Sequence, residues 1–522
     1  MMHLPRLAVA ALLSAATMLS GCDLAPDYHP PGFILPADWA GSGPFTRAHP
    51  ADALPRGPWW RMFDDPVLDG LESRAVAGNP DLAATAEAYT QARDLAAEAR
   101  AGLFPQITAT ASTSDNRRSD HALFRSSTGI RTMSSNEWGG TASWAPDFFS
   151  RIRNRTRAQK QLAQAAAADL ASARLALEVE LAHDYFALRG LDAQIAVYRQ
   201  SIRYYETAVQ ITQLRLGAKI AAALDVERAK TQLAQAQALL TDTEASRELM
   251  AHAIAVRCGA DASTFAIAPI AMPSEPGTHP ATEARATDGA MLPDPIPAVP
   301  ASVPSLLLQR RPDIAQAERE MAAANTSIGV SRAAFYPDVT ISLTGGFMDS
   351  GWNLGNIANS LWSVGAGAML PLFQGGLRRA ELQRSWSQYA QTRDSYRARV
   401  LDAFREVEDG LTLTRKLATE HAQQTDAVTA ALHTQTMTLQ LYTGGLTNYL
   451  DAVVAQEAAL TARIAAVQVR TRQLQASVSL IGALGGGWST AQLPGEDATL
   501  PFGPLDLTGS DRAPAYDPGA GG

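Results

Sequence analysis

Apolar residues recur along most of this chain at intervals of three and four, the spacing of one helix face. In four short stretches the period drops to two, the spacing of one strand face. The change is clearest between Leu306 and Phe347. There an Ala-rich helical run ends at Tyr336-Pro337, and Val339, Ile341 and Leu343 then alternate with Thr340, Ser342 and Thr344. The stretch from Ala75 to Ser112 carries the same signals in the same order. Asn79-Pro80-Asp81 answers Arg311-Pro312-Asp313 and Phe104-Pro105 answers Tyr336-Pro337, both displaced by 232 positions (311 − 79, 336 − 104). Ile107, Ala109 and Ala111 then alternate with Thr108, Thr110 and Ser112. A constant displacement over this length marks an internal duplication.

Each copy predicts the same succession of elements. A first helix runs from Pro66 or Leu68 to Ala101 and restarts at Asn79-Pro80-Asp81, where Asn caps and Pro suits a first turn. In the second copy Pro312 and Asp313 hold the restart, and Arg310 and Arg311 read as solvated arginines of a helix-entry motif. A hairpin follows, over about 106–147 and again over about 338–370. In its return strands Trp138, Ala142 and Trp144 alternate with Gly139, Thr141 and Ser143, and Trp362, Val364, Ala366 and Ala368 with Ser363, Gly365 and Gly367.

Long helices come next, from Arg151 to Leu216 and from Leu377 to Leu441. At about 1.5 Å per residue each is on the order of 100 Å long, more than a globular core can bury. Leu162, Ala166, Ala173, Leu177, Leu181, Leu188 and Ile195 form a narrow Ala and Leu seam, which predicts a sheath of antiparallel coiled coils. The second long helix breaks at Gly444-Gly445, with Asn448 placed to cap a return helix from Leu450 to Leu484. The first turns back between Gly217 and Asp225, and its return helix runs from Leu224 to Arg257. Leu224-Asp225 and Leu450-Asp451 differ by 226 positions, and at that offset Lys219 stands where the second copy has Gly445.

The alternating stretches fit either a half-buried soluble sheet or a transmembrane barrel with lipid outside and water inside. Strands of about nine or ten residues suit a bilayer crossing. Trp138, Trp144, Phe347, Trp352 and Trp362 gather at strand ends as an aromatic girdle would. Four strands cannot close a barrel, for which about eight is the practical minimum, so a barrel requires several chains. Basic turns after the hairpins, Arg151 to Arg155 and Arg378-Arg379, would then lie just below the membrane.

Composition narrows the setting. The 522 residues exceed the roughly 250 to 300 that one core organises, in keeping with an elongated duplicated chain. A net charge of −8 excludes a polycation for nucleic acid. After the first 20 or so residues no apolar run approaches the roughly 18 of a membrane-spanning helix. Arg6, the apolar run from Leu7 to Met18 and the lipobox Leu19-Ser20-Gly21-Cys22 read as an export signal that leaves Cys22 acylated at the mature N-terminus. Asp23, directly after that cysteine, resembles an inner-membrane retention signal, a conflict with a strand barrel that we resolve in favour of the barrel. Cys258 is the one other cysteine and reads as a small buried apolar residue.

The chain therefore divides into a signal peptide (1–21), a lipidated extended segment (22–65), a first repeat (66–267, long helices about 151–257), a Pro-rich linker (268–304), a second repeat (305–488, long helices about 377–484) and a tail (489–522) expected to be disordered. The fold class is mainly α with a transmembrane β-barrel. His183, Asp184 and Glu180 share a helical turn, but no HExxH spacing, nucleophile elbow, phosphate loop or Cys/His set accompanies them, so neither an enzyme nor a metal site is read.

Several motifs in order carry a family resemblance: Leu19 to Cys22 with Pro26 and Tyr28; Trp59-Trp60-Arg61-Met62-Phe63-Asp64-Asp65-Pro66; Asn79-Pro80-Asp81-Leu82; Pro304-Ser305-Leu306 with Arg310-Arg311-Pro312-Asp313-Ile314; Phe335-Tyr336-Pro337; and Ala483-Leu484-Gly485-Gly486-Gly487-Trp488. The chain resembles the TolC/OprM-type outer-membrane efflux factors, in their NodT-like lipoprotein branch. The resemblance implies a homotrimer in the outer membrane of a Gram-negative bacterium, lipid-anchored, with one twelve-stranded barrel continuous with a long periplasmic α-helical barrel. It also implies a passive exit duct for drugs, metals or other small molecules. This duct would have no cofactor beyond the covalent lipid and would dock to a periplasmic membrane-fusion adaptor and an inner-membrane pump, RND-type favoured.

Carried over residue by residue, the family's closed mouth falls on Leu450 and Asp451, while the second acidic position is Val454. Asp451 also suits a helix first turn by its charge alone. The adaptor-gripped tips fall on Gly217, Lys219, Leu224, Asp225, Gly444, Gly445 and Asn448, with Lys219 departing from the family's usual glycine. Arg310, Arg311, Pro312, Asp313, Pro337, Gly485, Gly486, Gly487 and Trp488 are expected to be structural. Two alternatives stand beside this reading. A conduit for type I protein secretion keeps the fold, whereas a lipid-anchored envelope coiled coil leaves the paired hairpins unexplained.

Overall fold

The computed structural model describes residues 23–33, 57–117, 119, 132–270, 292, 304–353 and 355–505. Cys22, most of the 268–304 linker and the tail beyond 505 lie outside the described residues. Each repeat starts with a helix pair broken at Pro: α1 (Pro66–Gly78) and α2 (Pro80–Ala101), then α5 (Pro304–Arg310) and α6 (Pro312–Ala333). Pro lacks the N–H that a continuous helix would use, and Asn79 caps the restart by accepting from the Leu82 amide at 2.8 Å.

The hairpins follow as β1 (Gln106–Arg117) with β2 (Thr132–Trp144), and β3 (Asp338–Asp349) with β4 (Ser360–Met369). They join through β2 and β3 into one antiparallel sheet of order β1-β2-β3-β4. Ile107, Ala142, Leu343 and Val364 fall in one row across all four strands. The next row, on the opposite face, is Thr108, Thr141, Thr344 and Ser363. The apolar row is uncovered, with Ile107 81% and Val364 66% exposed. Among the described residues the outer edges of β1 and β4 pair with no other strand. Trp138 stacks on Phe347 with ring centroids 5.2 Å apart. At the foot of the sheet the Trp144 indole donates to the Leu103 carbonyl at 3.0 Å.

The long helices are α3 (Arg151–Gly217) and α7 (Leu377–Thr443), each 67 residues. Their return helices, α4 (Ala223–Arg257) and α8 (Tyr449–Ala483), are 35 residues each. All four elements repeat at the offset of 226 (377 − 151, 449 − 223). Leu177, Leu181, Leu188 and Ile195 of the seam are buried, but Leu162 points outward. One stretch of α8 is apolar enough to span a membrane, contrary to the reading of the sequence as free of such runs. Its apolar residues serve packing, since α8 lies against both α3 and α7.

The largest core sits midway along the molecule, where Trp59, Phe63, Leu68, Leu181, Phe186, Leu307, Ile314, Val400, Leu411 and Leu480 meet. Cys258 is buried there, and burial pushes its thiol up to about 11. The tail differs from expectation as far as residue 505. It forms short 3₁₀ turns at Thr490–Gln492 and Glu496–Thr499. Lys160 pairs with Asp497 at 3.0 Å and Gln164 donates to the Pro494 carbonyl at 2.9 Å. Such isolated polar bonds to α3 leave no periodic trace in the sequence.

Candidate functional site

The end of the molecule away from the sheet carries two helical turns, one per repeat. The α3–α4 turn closes with the Ile220 amide donating to Arg215 O at 3.0 Å and the Lys219 amide to Leu216 O at 2.9 Å. The α7–α8 turn closes in the same way, Leu446 to Leu441 at 2.9 Å and Gly445 to Tyr442 at 3.0 Å. This pattern needs one left-handed residue. Gly445 takes it at φ 75°, and Lys219, at φ 63°, takes it with a side chain. Gly217 and Gly444 have ordinary helical geometry; a Cβ on Gly217 would point into open space, and one on Gly444 would sit tightly, 3.3 Å from the Gln440 carbonyl oxygen.

The returns start differently. Asn448 accepts from the Asp451 amide at 3.1 Å, and the Thr447 hydroxyl donates to the Asp451 carboxylate. Ala222, at the equivalent position before α4, offers no side-chain cap. Leu224 is exposed, and Asp225 lies 3.9 Å from Arg228.

Beneath the second turn Tyr442, Tyr449, Ala452 and Val453 pack with Ala208 of α3 and Ala229 of α4. This buries one side of α8 and leaves Leu450, Asp451 and Val454 together on the opposite, exposed face. Arg215 ties the turns to each other: it donates to the Thr443 carbonyl at 3.1 Å and its guanidinium lies 4.8 Å from the Tyr442 ring centre. Burial, with Tyr442 and Asp225 nearby, pushes the Tyr449 phenol up to about 12. Burial and Asp225 also raise Tyr442, against the pull of Arg215.

The motif residues gather elsewhere, at the joint between the start of each repeat and its last helix. Arg311 is not the solvated residue that the sequence suggests. It is buried and makes a two-pronged bond to Asp313 at 3.0 and 2.7 Å. It also reaches Glu406 of α7 at 2.5 Å and the Ala483 carbonyl at 3.2 Å. Burial weakens its charge, but these carboxylates more than compensate and raise its pKa. Nothing local foretells this, because Glu406 lies 95 residues away.

Gly485, Gly486 and Gly487 are all left-handed, and a Cβ on Gly485 would overlap the Arg310 carbonyl. The first repeat does the same with Asn79 of the motif and with Gly259, which the motif reading passed over. The Asn79 amide donates to the Arg257 carbonyl at 3.0 Å, and a Cβ on left-handed Gly259 would overlap the Gly78 carbonyl. Gly259 lies 226 positions before Gly485, so the offset alone could have found it. Pro337 leads from α6 into β3, beside a Tyr336–Phe149 stack at 4.6 Å. Trp488 lines a cleft with Trp60, Arg174 and Glu178. Among the described residues no cluster of His, Cys, Asp and Glu has the form of a metal site.

The chain is elongated, with a four-stranded sheet at one end and two helical turns at the other, and known proteins share this arrangement. The family profile described as outer membrane efflux protein matches residues 71–257 and 303–486. The toluene efflux pump outer membrane protein TtgC of Pseudomonas putida is 28% identical over 482 residues, covering 92% of this chain and 95% of that protein. The cation efflux system protein CusC of Escherichia coli O6:H1 is 28% identical over 486 residues, 91% and 97% of the two chains. Among solved structures, the outer-membrane channel OprN superposes with a TM-score of 0.78 at 27% identity, over 90% of this chain and all of that one. With both repeats matched by the profile and 90% or more of the chain covered by these relatives, the chain belongs to the outer membrane efflux protein family.

Proposed function

We propose that this chain forms a homotrimer whose three four-stranded sheets close one twelve-stranded barrel, continued below by a barrel of the long helices. As a member of its family it is an outer-membrane efflux channel of a Gram-negative cell, a passive duct and not an enzyme. The observation that carries the trimer is the sheet itself. Two unpaired edges and an uncovered apolar row are costly in water, and both are satisfied when copies pair edge to edge with lipid outside.

In this reading the helical mouth is the gate. Leu450, Asp451 and Val454 share the exposed face of α8, so three copies would set a ring of carboxylates between rings of aliphatic groups. The carboxylates would attract cations, and the aliphatic rings would resist opening by dewetting. The turns bearing Gly217, Lys219, Leu224, Asp225, Gly444, Gly445 and Asn448 receive a periplasmic adaptor, and an inner-membrane pump, of the RND type, delivers cargo. TtgC is named for toluene and CusC for cations at the same 28% identity, so the likeness favours neither cargo. Acylation of Cys22 completes the attachment to the membrane.

Planar-bilayer recording of the purified full chain tests the channel. Small, infrequent openings are expected from the native protein, and conductance several times larger from Asp451→Ala or Leu450→Ala. Silence from all three proteins would end the channel reading. A native protein already as conductive as the variants would end the gate reading alone.

A further inference from the structure

The first described residues are bonded in place. The Asp23 carboxylate accepts from Asn154 Nδ2 at 2.9 Å, from Arg157 Nη1 at 2.8 Å and from the Ala25 amide at 3.0 Å. Burial opposes its charge, yet these donors prevail and hold the carboxyl below its usual range. The following residues are fastened from α6. Arg332 donates to the Leu24 carbonyl at 3.1 Å, Asn325 donates to the Pro26 carbonyl at 2.8 Å, and the Tyr28 hydroxyl donates to Glu318 at 2.6 Å.

The groove is shaped for the backbone. At Gly329 a Cβ would come within 2.7 Å of the Ala25 nitrogen, so only glycine lets the segment lie against α6 there. The position of the bonds along the molecule is also informative. Asn154 and Arg157 lie in the first two turns of α3, and Arg151, one turn earlier, pairs at 2.8 Å with Asp338, the first residue of β3. The Asp23 clamp therefore sits at the foot of the sheet.

We propose that Asp23 is a positioning residue. Its clamped carboxylate seats the N-terminal segment in the α3–α6 groove at the foot of the sheet, which fixes where the acyl anchor meets the membrane and withholds the aspartate from a sorting factor once the chain has folded. This rests on the acylation of Cys22. It resolves the conflict between Asp23 as a retention signal and the sheet as an outer-membrane structure, because the carboxylate is engaged by the fold.

The test uses the full chain in its own membranes. Chymotrypsin is applied to the folded protein, cleavage after Tyr28 and Phe33, the aromatic residues of 23–33, is read by mass, and the two membranes are separated by density. Asp23→Ala and the pair Asn154→Ala/Arg157→Ala are each expected to raise cleavage about tenfold, and their combination no further. Asp23→Asn, which loses the ion pair but keeps an acceptor oxygen, should fall between. Asp23→Ala should remain in the outer membrane, whereas Asn154→Ala/Arg157→Ala, which frees the aspartate, should move part of the protein to the inner membrane.

Cleavage that is unchanged, or that multiplies in the combination, overturns the clamp. An Asn154→Ala/Arg157→Ala protein that stays wholly in the outer membrane overturns the withholding of the aspartate. An N-terminal peptide whose mass lacks an acyl group overturns the anchor role. That last result is distinguishable because the cleavage cycle still reports whether the segment is clamped.

Discussion

In the first repeat the Asn79 amide reaches the Arg257 carbonyl, and in the second the Arg311 guanidinium reaches the Ala483 carbonyl. Both contacts are made beside a left-handed glycine that lies flat on a carbonyl, Gly259 on Gly78 and Gly485 on Arg310. The halves share the backbone device and differ in what surrounds it. A neutral amide suffices where it also caps α2. A guanidinium in the same place needs Asp313 and Glu406 to neutralise it, and it gains a tie to α7 in return. The two tips differ in the opposite sense, since the second has both the glycine and the cap, and the first has neither. A duplicated fold thus holds its backbone requirements more strictly than its side chains.

The comparison is sharpest at the joints. Removing Arg311 strands two carboxylates, so Arg311→Ala should cost roughly 3 kcal/mol, against about 1 kcal/mol for the lost cap in Asn79→Ala. Thermal unfolding of the detergent-solubilised protein would show it, and equal losses would mean that the charge network adds nothing to the shared backbone device.

A smaller effect separates the repeats through Glu72, which has no acidic counterpart 232 positions on, where Pro304 stands. Glu72 is fully buried and neither of its oxygens has a partner. Desolvation first, then the nearby Glu178 and Asp69, outweigh Arg174 and push its carboxyl up to about 9. Below its ordinary value near 4.5 both folded and unfolded chains hold the proton and the residue costs nothing. As pH rises toward 9 the unfolded chain ionises first, and stability falls. Glu72→Gln should therefore stabilise by on the order of 2 kcal/mol at pH 6 and leave stability at pH 3.5 unchanged. A gain that is the same at both pH values would assign it to packing.

The smallest effects belong to the tips. Lys219→Gly relieves a left-handed side chain and should stabilise by about 1 kcal/mol, while Asn448→Ala should lose about 1 kcal/mol. Hydrogen exchange at the two turns would read both, and a Lys219→Gly turn that exchanges faster than the native one would contradict the strain.

Much of this was legible in the sequence because the signals are local. Asn79-Pro80 marks a helix restart, Tyr336-Pro337 marks the change of period, and the constant offsets carried helix ends from one copy to the other to within a residue or two. The left-handed backbone at Lys219 follows from Gly445 in the same way. What stayed hidden depends on long-range partners: Arg311 with Glu406, Asp23 with Arg157, and the tail with Lys160. Period and propensity contain no term for contacts of this kind, so Arg311 read as solvated and residues 489–505 as structureless.

One consequence of the strand order concerns biogenesis. β2 meets β3 through pairs such as Trp138 with Phe347, 209 residues apart (347 − 138). Ribosome and export machinery release the first hairpin long before its neighbour exists, and two 67-residue helices must still find their returns. Closing loops of that size is slow, and an apolar hairpin that waits with open edges is a template for aggregation. The four-stranded sheet therefore cannot be completed until the second half of the chain has arrived.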